Sequence, residues 1–92
     1  MLPETREILR RLAAAKGEDY DLNRRIENSI YDMGQELLHL PDEAERRREE
    51  LTSLELRYQQ LVQSAAQNKV GDRVHTMLDD LGRELTRLRR ET

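Results

Sequence analysis

Apolar residues recur at alternating spacings of three and four along most of this 92-residue chain. That spacing places them on one side of an α-helix, so the chain is predicted to fold by packing helices through narrow apolar stripes. The second of three stripes keeps the heptad alternation that is typical of coiled coils. In chain order the stripes are Leu22, Ile26, Ile30, Met33, Leu37, Leu40; then Ala44, Arg47, Leu51, Leu54, Tyr58, Leu61, Ala65, Asn68; then Val74, Leu78, Leu81, Leu85, Leu88.

Start and stop signals divide these stripes into separate helices. Pro3 and Pro41 each precede acidic residues, as is common at helix starts, and the short connection at Pro41 predicts that the second and third helices are antiparallel neighbours. We expect Gly71 to adopt a left-handed conformation and Asp72 to cap the last helix. The prediction is one all-α antiparallel bundle over residues 1–92, with helices near residues 3–16, 20–39, 42–68 and 72–90.

Composition limits the size of the core and the kinds of site. The chain has no Phe, Trp or Cys, and its three tyrosines are its only aromatic residues, so a thin aliphatic core is expected and disulfides and thiol chemistry are excluded. No apolar run approaches the ~20 residues that span a bilayer. The first residues, MLPETREILRR, are too charged for the apolar region of a signal peptide, so we expect a cytoplasmic protein without membrane attachment.

An internal similarity links the two halves of the chain. Residues 25–40 align without gaps on residues 73–88, with Arg, Asp, Gly, Glu and two Leu identical. We interpret this as two helical hairpin repeats, residues 2–40 and 41–90, although amphipathic helices rich in Leu and Glu can also align by chance. Gly34 and Gly82 are among the aligned residues. Because a mid-helix glycine costs about 1 kcal/mol relative to alanine, both are predicted to serve close helix packing, and to meet if the second and fourth helices are parallel.

Arginine clusters raise the alternative of nucleic-acid binding. In "ERRREEL" (45–51) the three arginines lie among acidic residues at i,i+4 spacing, which favours a self-paired, solvated helix face. The better candidate basic patch is at the C-terminus and consists of Arg83, Arg87, Arg89 and Arg90. It supports the alternative function, a nucleic-acid-associated regulator.

The sequence offers little catalytic chemistry. Glu36 and His39 have the Glu-x-x-His spacing of di-metal bundles, but the aligned segment has Arg87 where a second histidine would be needed. There is no Gly-rich phosphate loop and no nucleophile with a matching base. We therefore expect no metal, no cofactor and no enzymatic activity.

The favoured function is protein–protein interaction through helix packing, as a small adaptor, assembly factor, chaperone or regulatory subunit. The third helix is predicted to outrun its neighbours by roughly 10 Å, which would expose seam residues such as Tyr58, Leu61 and Ala65, or those near Leu51. Apolar residues also lie off the stripes. The predicted interface, with a second copy in a homodimer or with another protein, comprises Tyr31, Leu38, Leu56, Tyr58 and Val62.

Overall fold

In the computed structural model, which describes residues 2–92, the chain forms four α-helices joined by short turns. They are α1 (Pro3–Ala15), α2 (Tyr20–Leu38), α3 (Ala44–Gln67) and α4 (Asp72–Arg90). Helices account for 82% of the chain, so the predicted all-α bundle is confirmed, with every helix boundary within two residues of its expected place. None of the helices in residues 2–92 combines the length and apolar character needed to cross a bilayer.

Local sequence explains where the helices start and stop. Asp19 caps α2, because its side chain accepts a hydrogen bond from the backbone N–H of Leu22 at 3.0 Å. Glu43 caps α3 in the same way. Helix α1 has Pro3 in its first turn and ends before Gly17, whose φ of +75° is left-handed and turns the chain into α2.

The expected roles of Gly71 and Asp72 are wrong. Gly71 has a φ of −73° and is itself the N-cap of α4, while Asp72 is the first helical residue. The space beside Gly71 is instead occupied by the Glu18 carboxyl group, which would have to shift to admit a Cβ. The Gly71 N–H donates a hydrogen bond to the Asn23 side-chain oxygen at 3.0 Å.

The beginning of α2 is thereby fastened to the turn before α4. Besides the bond between Gly71 and Asn23, the N–H of Asp19 donates a hydrogen bond to the carbonyl oxygen of Lys69 at 2.8 Å. We call these two hydrogen bonds the turn clasp. It holds the first hairpin to the second at one end of the bundle.

The three apolar stripes meet in one core formed by α2, α3 and α4. Its largest fully buried side chains are Ile26, Met33, Leu51, Leu54 and Val74. Helix α4 packs along both α2 and α3, whereas α1 packs mainly on α2 and its buried Ala13 lies outside this core. Helix α1 is therefore attached to a three-helix core.

Ion pairs between helices show their relative directions. Arg73 in the first turn of α4 lies 3.7 Å from Glu27 of α2, and Arg89 in its last turn pairs with Glu55 in the first half of α3. Helices α2 and α4 therefore run parallel and α3 runs antiparallel to both. The predicted antiparallel arrangement of α2 and α3 is therefore found, and an ion pair between Arg57 and Glu36 links the two helices, but α4 packs more closely against each of them.

The expected exposure of the α3 seam is also wrong. Leu51 and Ala65 are 0% and 4% exposed, and Tyr58 and Leu61 pack against the core. Arg89, one residue from the end of α4, contacts Thr52, so the part of α3 that extends past α4 is its first two turns. There the stripe contains only Ala44 and Arg47, which do not need an apolar cover.

Candidate protein-docking groove

A groove of about 850 Å³ lies between α2 and α4 and is also lined by Arg47 of α3. We call it the α2/α4 groove. Apolar side chains form most of its surface, while charged side chains from α3, from α4 and from the turn after α2 border it. The apolar group comprises Ile30, Tyr31, Leu37, Leu38, Leu40, Met77, Leu81 and Leu88, and the charged group comprises Asp42, Arg47, Asp80, Glu84 and Arg87.

Two large apolar side chains on the rim of this groove are exposed to solvent. Tyr31 is 67% exposed and Leu38 is 74% exposed. They are seven residues apart on α2, so they project from the same side of the helix two turns apart. Full burial of a side chain of this size contributes roughly 1.5 to 3 kcal/mol, which a partner covering the groove would recover in part.

Gly34 forms part of the groove between these two residues. A Cβ built on it would have no heavy atom of residues 2–92 within 4 Å, apart from its chain neighbours and its own helix backbone. The predicted close packing at Gly34 is therefore wrong, and Gly34 does not meet Gly82. The glycine leaves an open space in the groove.

Gly82 has the opposite environment. The ring of Tyr58, from α3, lies directly over it, so that a Cβ on Gly82 would be 2.8 Å from the Tyr58 Cζ and would collide with its hydroxyl. The close helix contact at Gly82 is thus made with Tyr58 rather than with α2. The two aligned glycines differ because one is covered within the chain and the other is open.

Helix length accounts for this difference. Helix α3 has 24 residues and extends along α4 past the level of Gly82, where it supplies Tyr58. Helix α1 has only 13 residues and begins at Pro3, and its contacts with α2 involve the first half of that helix. No residue of α1 lines the groove at Gly34.

The structure does not bring the five predicted interface residues together. Tyr31 and Leu38 lie at the α2/α4 groove, whereas Tyr58 is half-buried over Gly82. Leu56 and Val62, which are 58% and 39% exposed, are on α3, which contributes only Arg47 to the groove. The sequence also missed the contribution of α4. The signal for this contribution was Met77, an apolar residue that precedes Leu78 and lies off the third stripe.

The C-terminal arginines are largely paired with acidic side chains. Arg83 contacts Asp80 at 3.1 Å, Arg87 contacts both Glu84 and Glu91, and Arg89 contacts Glu55. The hydrogen bond from Arg87 lowers the pKa of the Glu84 carboxyl, and the hydrogen bond to Glu55 raises the pKa of Arg89. Three of the four arginines in the predicted basic patch therefore have their charge compensated within the chain.

The Glu-x-x-His pair is on the surface. Both Glu36 and His39 are exposed, and the Glu36 carboxylate accepts a hydrogen bond from Arg57 at 2.5 Å. Within residues 2–92, no three His, Asp or Glu side chains come together in a way that could hold a metal ion.

Comparison of the chain with models of protein families, with curated proteins and with solved structures finds no match.

Proposed function

We propose that this protein is a non-enzymatic interaction module that binds another protein chain in the α2/α4 groove. The observation that supports this most directly is the open space at Gly34. The groove is apolar, it lies on rigid helices, and its rim has two exposed side chains of the kind that act as anchors in protein interfaces.

The cost of Gly34 supports a role outside the folded chain. A glycine in the interior of a helix is about 1 kcal/mol less favourable than alanine. Gly82 offsets that cost through its contact with Tyr58, but no contact within residues 2–92 requires a glycine at position 34. A side chain from another protein can approach the backbone of α2 closely only while this position has no Cβ.

Charge supports a protein partner over nucleic acid. Residues 18–45, which include all of α2, contain nine acidic residues and two arginines, a net charge of −7. A polyanion would be repelled by this segment, and the C-terminal arginines that could attract one are mostly paired. The charge distribution therefore favours a partner that packs against apolar surface.

Two exposed leucines make a matched test of the proposal. Leu38 lies in the groove and Leu56 lies on α3 outside it, and both are on helices and more than half exposed. Each is replaced separately by a photo-crosslinking phenylalanine analogue, and the protein is irradiated in the cells in which it naturally occurs.

We expect the Leu38 probe to form an adduct of one defined mass, with no such adduct from the Leu56 probe. Adding Gly34→Leu, which fills the groove, should abolish the adduct. Adducts of equal yield from both probes, or none from the Leu38 probe, would refute docking in the groove.

A further inference from the structure

We infer that the chain bound in the α2/α4 groove is a second copy of this protein, related to the first by a two-fold axis that passes between the two copies of α2 at the level of residues 32 and 33. This inference rests on the proposed function, since it identifies the partner that the groove binds. In the dimer, Tyr31 of each copy covers Gly34 of the other.

A contact of the same kind, between a tyrosine and a helical glycine, is already present within one chain. Tyr58 of α3 lies over Gly82 of α4, and α3 runs antiparallel to α4. Gly34 aligns with Gly82 in the sequence and has no tyrosine above it. A second copy of α2, packed antiparallel to the first, provides the same arrangement, in which a tyrosine from an antiparallel helix lies over a helical glycine.

The spacing of the residues satisfies the two-fold symmetry. When two identical helices pack antiparallel about an axis between residues 32 and 33, residue 31 of one is level with residue 34 of the other. Both Tyr31–Gly34 contacts therefore form together, as an interface between identical surfaces requires. The same register places Leu38 level with Glu27 of the other copy, about one turn before Ile30, the first residue of α2 in the groove.

The exposed surface of the single chain is also larger than that of a compact monomer. Its accessible surface is 6617 Å² for a mass of 10.9 kDa, whereas a monomeric protein of this mass exposes about 5,600 Å². The excess of roughly 1,000 Å² is similar to the ~800 Å² that each partner buries in a standard protein interface. The surface needed for a dimer is thus available on an elongated chain whose radius of gyration is 15.3 Å.

Sedimentation equilibrium tests the dimer. At tens of micromolar, the wild-type chain and the control Leu56→Glu should have twice the 10.9 kDa mass of the chain. Gly34→Leu should be monomeric, because its side chain occupies the position of the partner's Tyr31. The variant should remain helical, since no neighbour lies within 4 Å of a Cβ at that position. A monomeric wild type, or a Gly34→Leu variant as dimeric as the control, would overturn the inference.

Distances between spin labels test the position of the axis. The chain has no cysteine, so Asp32→Cys and His39→Cys each introduce a single labelling site on an exposed part of the surface. Along the helix axis, antiparallel packing separates the two labels by about 1.5 Å at position 32 and about 20 Å at position 39. Pulsed electron paramagnetic resonance should therefore give a clearly longer distance at position 39. Equal distances at both positions would indicate parallel helices and refute the two-fold arrangement.

The two proposals fail in different ways. If the wild-type chain is monomeric but the Leu38 probe still forms an adduct with a different protein, the second copy is wrong and docking in the groove is right. If the chain is dimeric but Gly34→Leu does not dissociate it and the Leu38 probe forms no adduct, both are wrong.

Discussion

Replacing Gly34 and Gly82 with alanine, one at a time, should change the stability of the protein in opposite directions. Both substitutions remove a mid-helix glycine, and helix propensity alone makes each favourable by about 1 kcal/mol. The difference between them comes from what the new methyl group meets. At Gly34 it meets no neighbour within 4 Å, and at Gly82 it meets the ring of Tyr58.

For Gly34→Ala, the gain in helix propensity should appear almost in full as an increase in the free energy of unfolding. A gain of 1 kcal/mol raises the melting temperature of a domain of this size by about 4 to 8 °C. For Gly82→Ala, the Tyr58 ring must move away from a contact of 2.8 Å, and overpacking of this kind costs about 1 to 3 kcal/mol. The net effect of Gly82→Ala should lie between zero and a loss of about 2 kcal/mol.

The assay is thermal unfolding followed by circular dichroism, at protein concentrations low enough that the melting temperature no longer depends on concentration. Repeating Gly82→Ala in a Tyr58→Ala background supplies the control. Without the ring, the same substitution should become stabilising by about 1 kcal/mol. The reasoning is refuted if Gly82→Ala raises the melting temperature as much as Gly34→Ala does, or if removal of the Tyr58 ring does not change its effect.

Three further predictions address the core, the ion pairs and the arginines. Leu51→Ala, at a position that is 0% exposed, should lower the free energy of unfolding by about 2 to 5 kcal/mol in urea titrations, while Leu56→Ala should change it by less than about 0.5 kcal/mol. Because Arg87 lowers the pKa of Glu84 in the folded state, this carboxylate stabilises the fold at pH values above its ordinary pKa. The melting temperature of the wild type should therefore exceed that of Glu84→Gln by less and less as the pH falls from about 5 to 3. A difference in melting temperature that stays constant over this range would contradict the prediction. Fluorescence anisotropy should show no binding to duplex DNA or RNA at ~100 mM salt, and salt-sensitive binding at that concentration would support the alternative function.

The sequence predicted the helices well because helix formation here depends on a local pattern. The 3,4 spacing of Ile26, Ile30 and Met33 fixes which side of α2 is buried, whatever that side packs against. The same reasoning located the core positions of α3 and α4. The helix boundaries are local as well, since Pro3 at the start of α1, the cap Asp19 and the left-handed Gly17 act through contacts within a few residues of themselves.

The groove could not be predicted in the same way because it depends on which helices are neighbours. Sequence alignment treated Gly34 and Gly82 as equivalent, and only the packing of α3 shows that Tyr58 covers one of them. The sequence also did not show that α4 packs along both α2 and α3. The apolar side of α4 is wide enough to contact two helices, and a stripe of residues identified along one helix does not reveal that width. Gly71 was misread because its close neighbours, Glu18 and Asn23, are about 50 residues away in the chain.

The turn clasp has a consequence for how the protein opens and closes. Each helix forms from contacts close in sequence, which assemble quickly, whereas the clasp joins Asp19 to Lys69 across fifty residues and closes only when both hairpins are already in place. The amide protons of Asp19 and Gly71 therefore report on the docking of one hairpin against the other. In hydrogen-exchange experiments they should be protected together and exposed together, independently of fraying at the beginning of α1.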